Sequence, residues 1–234
     1  MSPEIIKYAV GLLVCYLIGA IPFGYILVRI VGKDDIRKRG SGNIGATNAA
    51  RILGVWAFFV VFALDFLKGL AAVFVVFNLF NNPHIFNDGS QFLKYELTWK
   101  NLQVICGLAA IIGHLFPVYL KFRGGKGIAT SAGVFIYLAT YSVVVALLVW
   151  AVIFLLTRYV SLASIVSALA FTGCYYLTSL VIWSGNPFES NMILLTLAAT
   201  LVSCGVLVTH RKNIVRLFQG CEPKSGEGRN GRAL

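Results

Sequence analysis

Long uncharged apolar runs alternate along this chain with short polar, mostly basic connections. Tyr8 to Val28 is 21 residues without Asp, Glu, Lys or Arg. Asn101–Leu120 gives 20 more, Ile128–Thr157 gives 30, Tyr159–Trp183 gives 25 and Asn191–Thr209 gives 19. About 20 apolar residues in a helix cross a bilayer core about 30 Å thick. Backbone polar groups inside lipid must be satisfied within the segment, so these runs are predicted to be helices. The short alternating segments of a transmembrane barrel are not present. The first run is long, holds Pro22 and Gly24 and lacks a small-residue cleavage site, so it is expected to stay as a helix and not act as a signal peptide.

The connections give orientation. Arg29 to Arg51 carries six basic residues. The stretch Arg51 to Phe80 is expected to cross as well. Lys121, Arg123 and Lys126 follow the 101–120 run, Arg158 separates two others, and six more basic residues follow Thr209. These are 16 of the 20 Lys and Arg, and the positive-inside rule places them in the cytoplasm. The N-terminus is then outside and the C-terminus cytoplasmic. Keeping Lys126 and Arg158 on one side requires 128–157 to cross twice as a tight hairpin, which gives about seven transmembrane helices. Thirty residues are short for two spans, so one long tilted helix is the rival reading.

Composition agrees with this all-α, polytopic class. Of 234 residues, 58% are hydrophobic and 12% charged; a soluble domain is about a quarter charged. The net charge of +11 suits cytoplasmic loops facing anionic lipid and anionic substrates better than nucleic acid. Five cysteines show no metal-ligand spacing, and four sit inside apolar runs as small helix residues. Residues 1–222 read as one membrane-embedded domain, and 223–234 as a polar, disordered tail.

Three polar clusters remain that hydropathy does not explain, all on the predicted cytoplasmic side. The first is Ser41-Gly42-Asn43-Ile44-Gly45-Ala46-Thr47-Asn48, followed by Arg51. Glycines let the backbone close around a ligand, free N–H groups at a helix start favour an anion, and Arg51 can hold a phosphate in bidentate fashion. The second is Lys121-Phe122-Arg123-Gly124-Gly125-Lys126-Gly127, which is not a P-loop because GxxxxGK[ST] is absent. The third is His210-Arg211-Lys212-Asn213, with Glu222 beyond; His210 and Asn213 share one face of a continuing helix. A capped turn, a basic membrane-surface loop and a cationic stop are the plain alternatives for the three. Asp65 and Lys68, three apart in an apolar stretch, read as a neutralising structural pair. Ser161 and Ser164 stand near the same face.

Together, SGNIGATN at 41–48, FRGGKGIAT at 122–130 and HRKNIVRLFQGCE at 210–222 resemble the signature motifs of the bacterial glycerol-3-phosphate acyltransferases that use acyl phosphate as donor. DFLKG at 65–69 and RYVSLAS at 158–164 are similar to the family's as well. The resemblance implies transfer of a fatty acyl group to the 1-hydroxyl of sn-glycerol 3-phosphate. The products are lysophosphatidic acid and phosphate, and the step is the first acylation of phospholipid synthesis in the bacterial cytoplasmic (inner) membrane. It implies no metal or other cofactor; the partners are glycerol 3-phosphate, acyl phosphate and membrane lipid. By analogy Ser41, His210 and Asn213 lie at the reaction centre. Gly42, Asn43, Gly45, Thr47, Asn48, Arg51, Gly124, Gly125, Lys126, Gly127, Ser161 and Glu222 bind substrate. The family lacks the HxxxxD motif of the soluble-type acyltransferases, and so does this chain: the only acid close downstream of a histidine is Asp88, four residues after His84, in a predicted external loop. A small membrane anion transporter is the alternative reading; a CDP-alcohol phosphotransferase needs more aspartates than Asp34 and Asp35 supply.

Overall fold

The computed structural model describes residues 3–80, 99–181, 187–188 and 192–226. The His84–Asp88 segment lies outside them. The described residues form ten α-helices: α1 (Pro3–Ala20), α2 (Phe23–Val31), α3 (Ala46–Leu53), α4 (Val55–Phe80), α5 (Trp99–Leu115), α6 (Ile128–Leu138), α7 (Thr140–Thr157), α8 (Val160–Val181), α9 (Ile193–Thr209) and α10 (Arg211–Phe218). Five spans are long and apolar enough to cross a membrane, and α9 with α10 makes a sixth if that bent pair counts as one. The protein is therefore an all-helical, multi-pass membrane protein.

Local chemistry explains the breaks. α1 stops before Pro22, which has no N–H and biases the preceding residue away from helix. α3 ends at Gly54, with φ 96°. The 30-residue run 128–157 breaks at Ala139, where φ −149° and ψ 58° leave the helical region. Its first arm, α6, has 11 residues, which span about 16 Å, half of a bilayer core. A count of seven crossings thus depends on α6. α9 and α10 meet at 56° across His210.

Helices cross closely where small residues allow it. A Cβ on Gly69 of α4 would meet the Thr130 carbonyl, and one on Gly133 of α6 would meet the Phe66 carbonyl. This reciprocal approach presses α6 onto α4, as small residues do at membrane helix contacts. One apolar core joins α4 to α9 around Val134, Phe135, Phe171 and Tyr175. A second packs Cys15 and Cys106 between α1, α4 and α5. A third seats Val28, Ile36, Ile44 and Leu120 beneath the 32–45 loop. Cys204 and Cys221 are exposed, unlike the buried pair, so the core reading of the cysteines fits only some of them.

The buried charges of α4 are paired. Lys68 Nζ lies 2.7 Å from Asp65 Oδ1 and donates to the Ile21 carbonyl at 2.8 Å. That bond satisfies a carbonyl at the break before Pro22, where the end of α1 leaves carbonyls without a helical donor. His114 Nδ1 stands 3.6 Å from the same Asp65 oxygen.

Candidate active site

The three clusters converge on one cavity of about 130 Å3. Helix ends build it: the loop before α3, the start of α6, the start of α8, and the α9–α10 junction. Of the fifteen residues singled out from the sequence, twelve line it: Ser41, Asn43, Gly45, Thr47, Asn48, Arg51, Lys126, Gly127, Ser161, His210, Asn213 and Glu222. Gly42, Gly124 and Gly125 do not. Gly42 turns the loop, with φ 73°. Gly125 serves by absence of a side chain, since its Cβ would press into the His114 ring.

Asn48 organises the first loop. Buried at 1% exposure, its Nδ2 donates to the carbonyls of Ile36 (3.1 Å), Arg39 (3.0 Å) and Asn43 (2.9 Å). Its Oδ1 accepts from the Ser41 N–H at 2.9 Å. The carboxamide is spent on the loop, so Asn48 shapes the cavity wall and has little left for a ligand. Asn43 Oδ1 accepts the Gly45 N–H at 2.9 Å, an Asx turn leading into α3.

The second loop folds back on the end of α5. Gly124 N–H donates to Leu115 O and Gly125 N–H to His114 O, both at 3.1 Å. This leaves Arg123 exposed and turns Lys126 inward. Lys126 Nζ donates to Asn213 Oδ1 at 2.6 Å. Asn213 Nδ2 donates to Glu222 Oε1 at 2.6 Å, and Ser161 Oγ donates to the same oxygen at 2.8 Å. Arg216 Nε donates to Glu222 Oε2 at 2.6 Å. An ammonium can only donate and a carboxylate can only accept, so the Asn213 amide has one permitted orientation between them. His210 Nδ1 faces the Val206 carbonyl at 2.9 Å. A carbonyl only accepts, so Nδ1 carries the proton and Nε2 is left for other work.

Charge in the cavity is unbalanced. Burial pushes the Lys126 ammonium down to about 8; Glu222 resists the shift, while Arg216 and Arg51 add to it. Burial also lowers Arg51. Burial alone would raise the Glu222 carboxyl, yet hydrogen bonds from Arg216, Asn213 and Ser161 hold it below its ordinary range. Both carboxylates in the wall are already engaged, Glu222 by Arg216, Asn213 and Ser161 and Asp65 by Lys68, so the two half-buried cations, Lys126 and Arg51, make a site that lacks an anion.

A family model described as glycerol-3-phosphate acyltransferase matches residues 9–220. The chain belongs to the glycerol-3-phosphate acyltransferase family. Among its relatives, the glycerol-3-phosphate acyltransferases of Staphylococcus aureus strain Newman and Staphylococcus haemolyticus strain JCSC1435 are each 41% identical to it. Both matches run over 215 residues, 92% of this chain and 96% of the relative. Two solved structures of PlsY, an integral membrane glycerol 3-phosphate acyltransferase, share the fold. The glycerol 3-phosphate form superposes with a TM-score of 0.76 at 31% identity. The lysophosphatidic acid form superposes with 0.73 at 30%. Each match covers 93% of this chain and 94% of the other.

Sequence reasoning on the acyltransferase missed part of the wall. Phe58, Phe62, Trp150, His114, Pro223 and Ser225 also line the cavity, as do Asp65, expected only as half of a structural pair, and Ser164, expected near this face. The aromatic residues gave no signal, because an apolar side chain facing a cavity looks like one facing lipid. Just past the expected boundary at 222, Ser225 N–H donates to Arg158 O at 2.8 Å. The rest of the expected tail, from 227 on, lies outside the described residues.

An apolar groove of about 290 Å3 opens beside the polar cavity, between α4, α6, α7, α8 and α9. Phe135 and Phe171, in edge contact with ring centroids 5.0 Å apart, are among the residues that line it.

Proposed function

We propose that this protein transfers a fatty acyl group from acyl phosphate to the 1-hydroxyl of sn-glycerol 3-phosphate, giving lysophosphatidic acid and phosphate. The observation that carries the reading is the juxtaposition of a cationic cavity with an apolar groove, in a member of this family. The cationic cavity suits the phosphates of both substrates, and the groove suits an alkyl chain. An anion transporter has no use for the groove, and that alternative gives way to family membership.

In this reading Arg51 and Lys126 neutralise phosphate, with Thr47 and the N–H groups at the start of α3 and α6 around it. Ser41, His210 and Asn213 orient the glycerol hydroxyl for attack. Acyl phosphate is already activated, so positioning and charge neutralisation suffice without a covalent intermediate. The hydroxyl proton passes to phosphate. Glu222 acts on Asn213, whose amide it aims, and through it on Lys126. Residues 1–222 act as one membrane-embedded unit. The membrane is the bacterial inner membrane, with the N-terminus outside, the cavity facing the cytoplasm and α6 as a seventh crossing; the basic loops support that orientation.

Purified protein given acyl phosphate and labelled glycerol 3-phosphate should form lysophosphatidic acid, with EDTA having no effect. Palmitoyl-CoA should not replace the donor. A clear preference for acyl-CoA would overturn the donor assignment.

A further inference from the structure

The polar cavity and the apolar groove share five residues: Phe58, Phe62, Ile128, Trp150 and Ser164. They form the threshold between the two compartments. An acyl phosphate has one such boundary of its own, the carbonyl group, and that is the group under attack. With its phosphate in the cavity and its chain in the groove, its carbonyl falls at this threshold. Only Trp150 and Ser164 bring polar side-chain atoms there.

Those atoms are already arranged. Trp150 Nε1–H donates to Ser164 Oγ at 3.2 Å. Ser164 Oγ donates in turn to the Val160 carbonyl, one helical turn back, at 2.8 Å. That carbonyl is also the regular acceptor for the backbone N–H of residue 164, so it stays satisfied if the hydroxyl turns away. The indole is held between rings: Phe154 stacks on Trp150 at 5.0 Å and Phe58 at 6.2 Å. The serine oxygen is thus fixed while its proton can be redirected.

We propose that Ser164 is a further catalytic residue, donating its hydroxyl hydrogen bond to the carbonyl oxygen of the acyl phosphate, with Trp150 as the positioning residue that aims it. This rests on the acyl-phosphate reading above. The glycerol C1 oxygen attacks the carbonyl carbon, and the C=O π pair moves onto the carbonyl oxygen, where the Ser164 O–H meets the developing charge. The pair returns as the C–O bond to phosphate breaks. Phosphate leaves with that bonding pair and takes up the proton of the attacking hydroxyl. Ser164 keeps its own proton throughout. Buried at 3% exposure, it acts where water competes least.

The test uses full-length protein in detergent. Wild type is assayed first with acyl phosphate and glycerol 3-phosphate; no turnover there overturns the donor reading, independently of Ser164. Ser164→Ala should lower kcat about 10- to 100-fold and leave KM for glycerol 3-phosphate within about twofold. Two probes of equal chain length separate a carbonyl contact from a structural one: an acyl phosphoramidate, which keeps the carbonyl, and an alkyl phosphate, which lacks it. Ser164→Ala should weaken the first about tenfold, as for one lost hydrogen bond, and leave the second unchanged. Trp150→Phe should shift the same probe by less, and the double variant should be no worse than Ser164→Ala alone. Ser164→Thr keeps the hydroxyl and should recover part of kcat; it also carries the test if the alanine variant does not fold. Equal weakening of both probes, or an unchanged kcat, overturns the assignment.

Discussion

Lys126 decides how the site responds to pH. Its ammonium, brought down to about 8 by burial, is charged in neutral solution and loses its proton as pH rises through that value. The cation is the form that holds phosphate, so kcat/KM for glycerol 3-phosphate should fall above about pH 8. That ratio reports the free enzyme; bound phosphate favours the charged lysine, so the alkaline limb of kcat should lie higher. A kcat/KM flat to pH 10 would remove Lys126 from phosphate binding. Arg51→Ala and Lys126→Ala should each cost at least about 100-fold in kcat/KM, or roughly 2.7 kcal/mol. Arg51→Lys should recover only part, because an ammonium cannot make a planar bidentate contact. Which residues carry charge to the site was legible from the sequence, because Lys and Arg beside glycines have few structural reasons to be there. That Lys126 reaches Glu222 through Asn213 was not, since the contact spans 87 residues from Lys126 to Asn213.

At the scale of elements, the 32–45 loop depends on one side chain. Asn48 supplies its donors to three carbonyls, a task that neither an apolar nor an acidic residue can perform. Asn48→Ala takes the side-chain partner from the Asn43 carbonyl and the Ser41 N–H, while the Ile36 and Arg39 carbonyls keep backbone donors; the cost is about 1–3 kcal/mol for each lost partner that water cannot replace. Asn48→Asp is the sharper test, because a carboxylate places acceptors against acceptors. It should lower the unfolding temperature in detergent and the activity more than alanine does; a wild-type melting curve for the aspartate variant would disprove this role. The helices themselves were legible as apolar runs. The break at Ala139 was expected only by charge parity, since no Pro or Gly marks it. The groove left no trace in the pattern, because Phe135 or Phe171 reads the same whether it faces lipid, core or ligand.

For the whole molecule, the basic connections predict sidedness. Exposed Cys221 is a native probe, and single cysteines at Ser41 and Lys126 extend it; an impermeant thiol reagent should reach all three only from the cytoplasmic side. Labelling of Cys221 from outside would break both the orientation and the shared cavity. Such global features were the most legible, because the bilayer imposes them on every residue and leaves repeated marks in the sequence. The convergence of three distant clusters was legible only through resemblance, since no local rule says which helix ends meet.

The acidic residue that orders this site arrives late in the chain. Among the described residues Glu222 follows every helix, and its partners Ser161, Asn213 and Arg216 are made before it. A chain stopped at residue 221, or nicked after Phe218, would keep α1 to α10 and still insert and pack. It would lack the carboxylate that holds the Nδ2 side of Asn213 and restrains the cations. Synthesis of the scaffold and ignition of its chemistry are thus separate events, and a membrane can hold the full helical bundle before any of it is able to react.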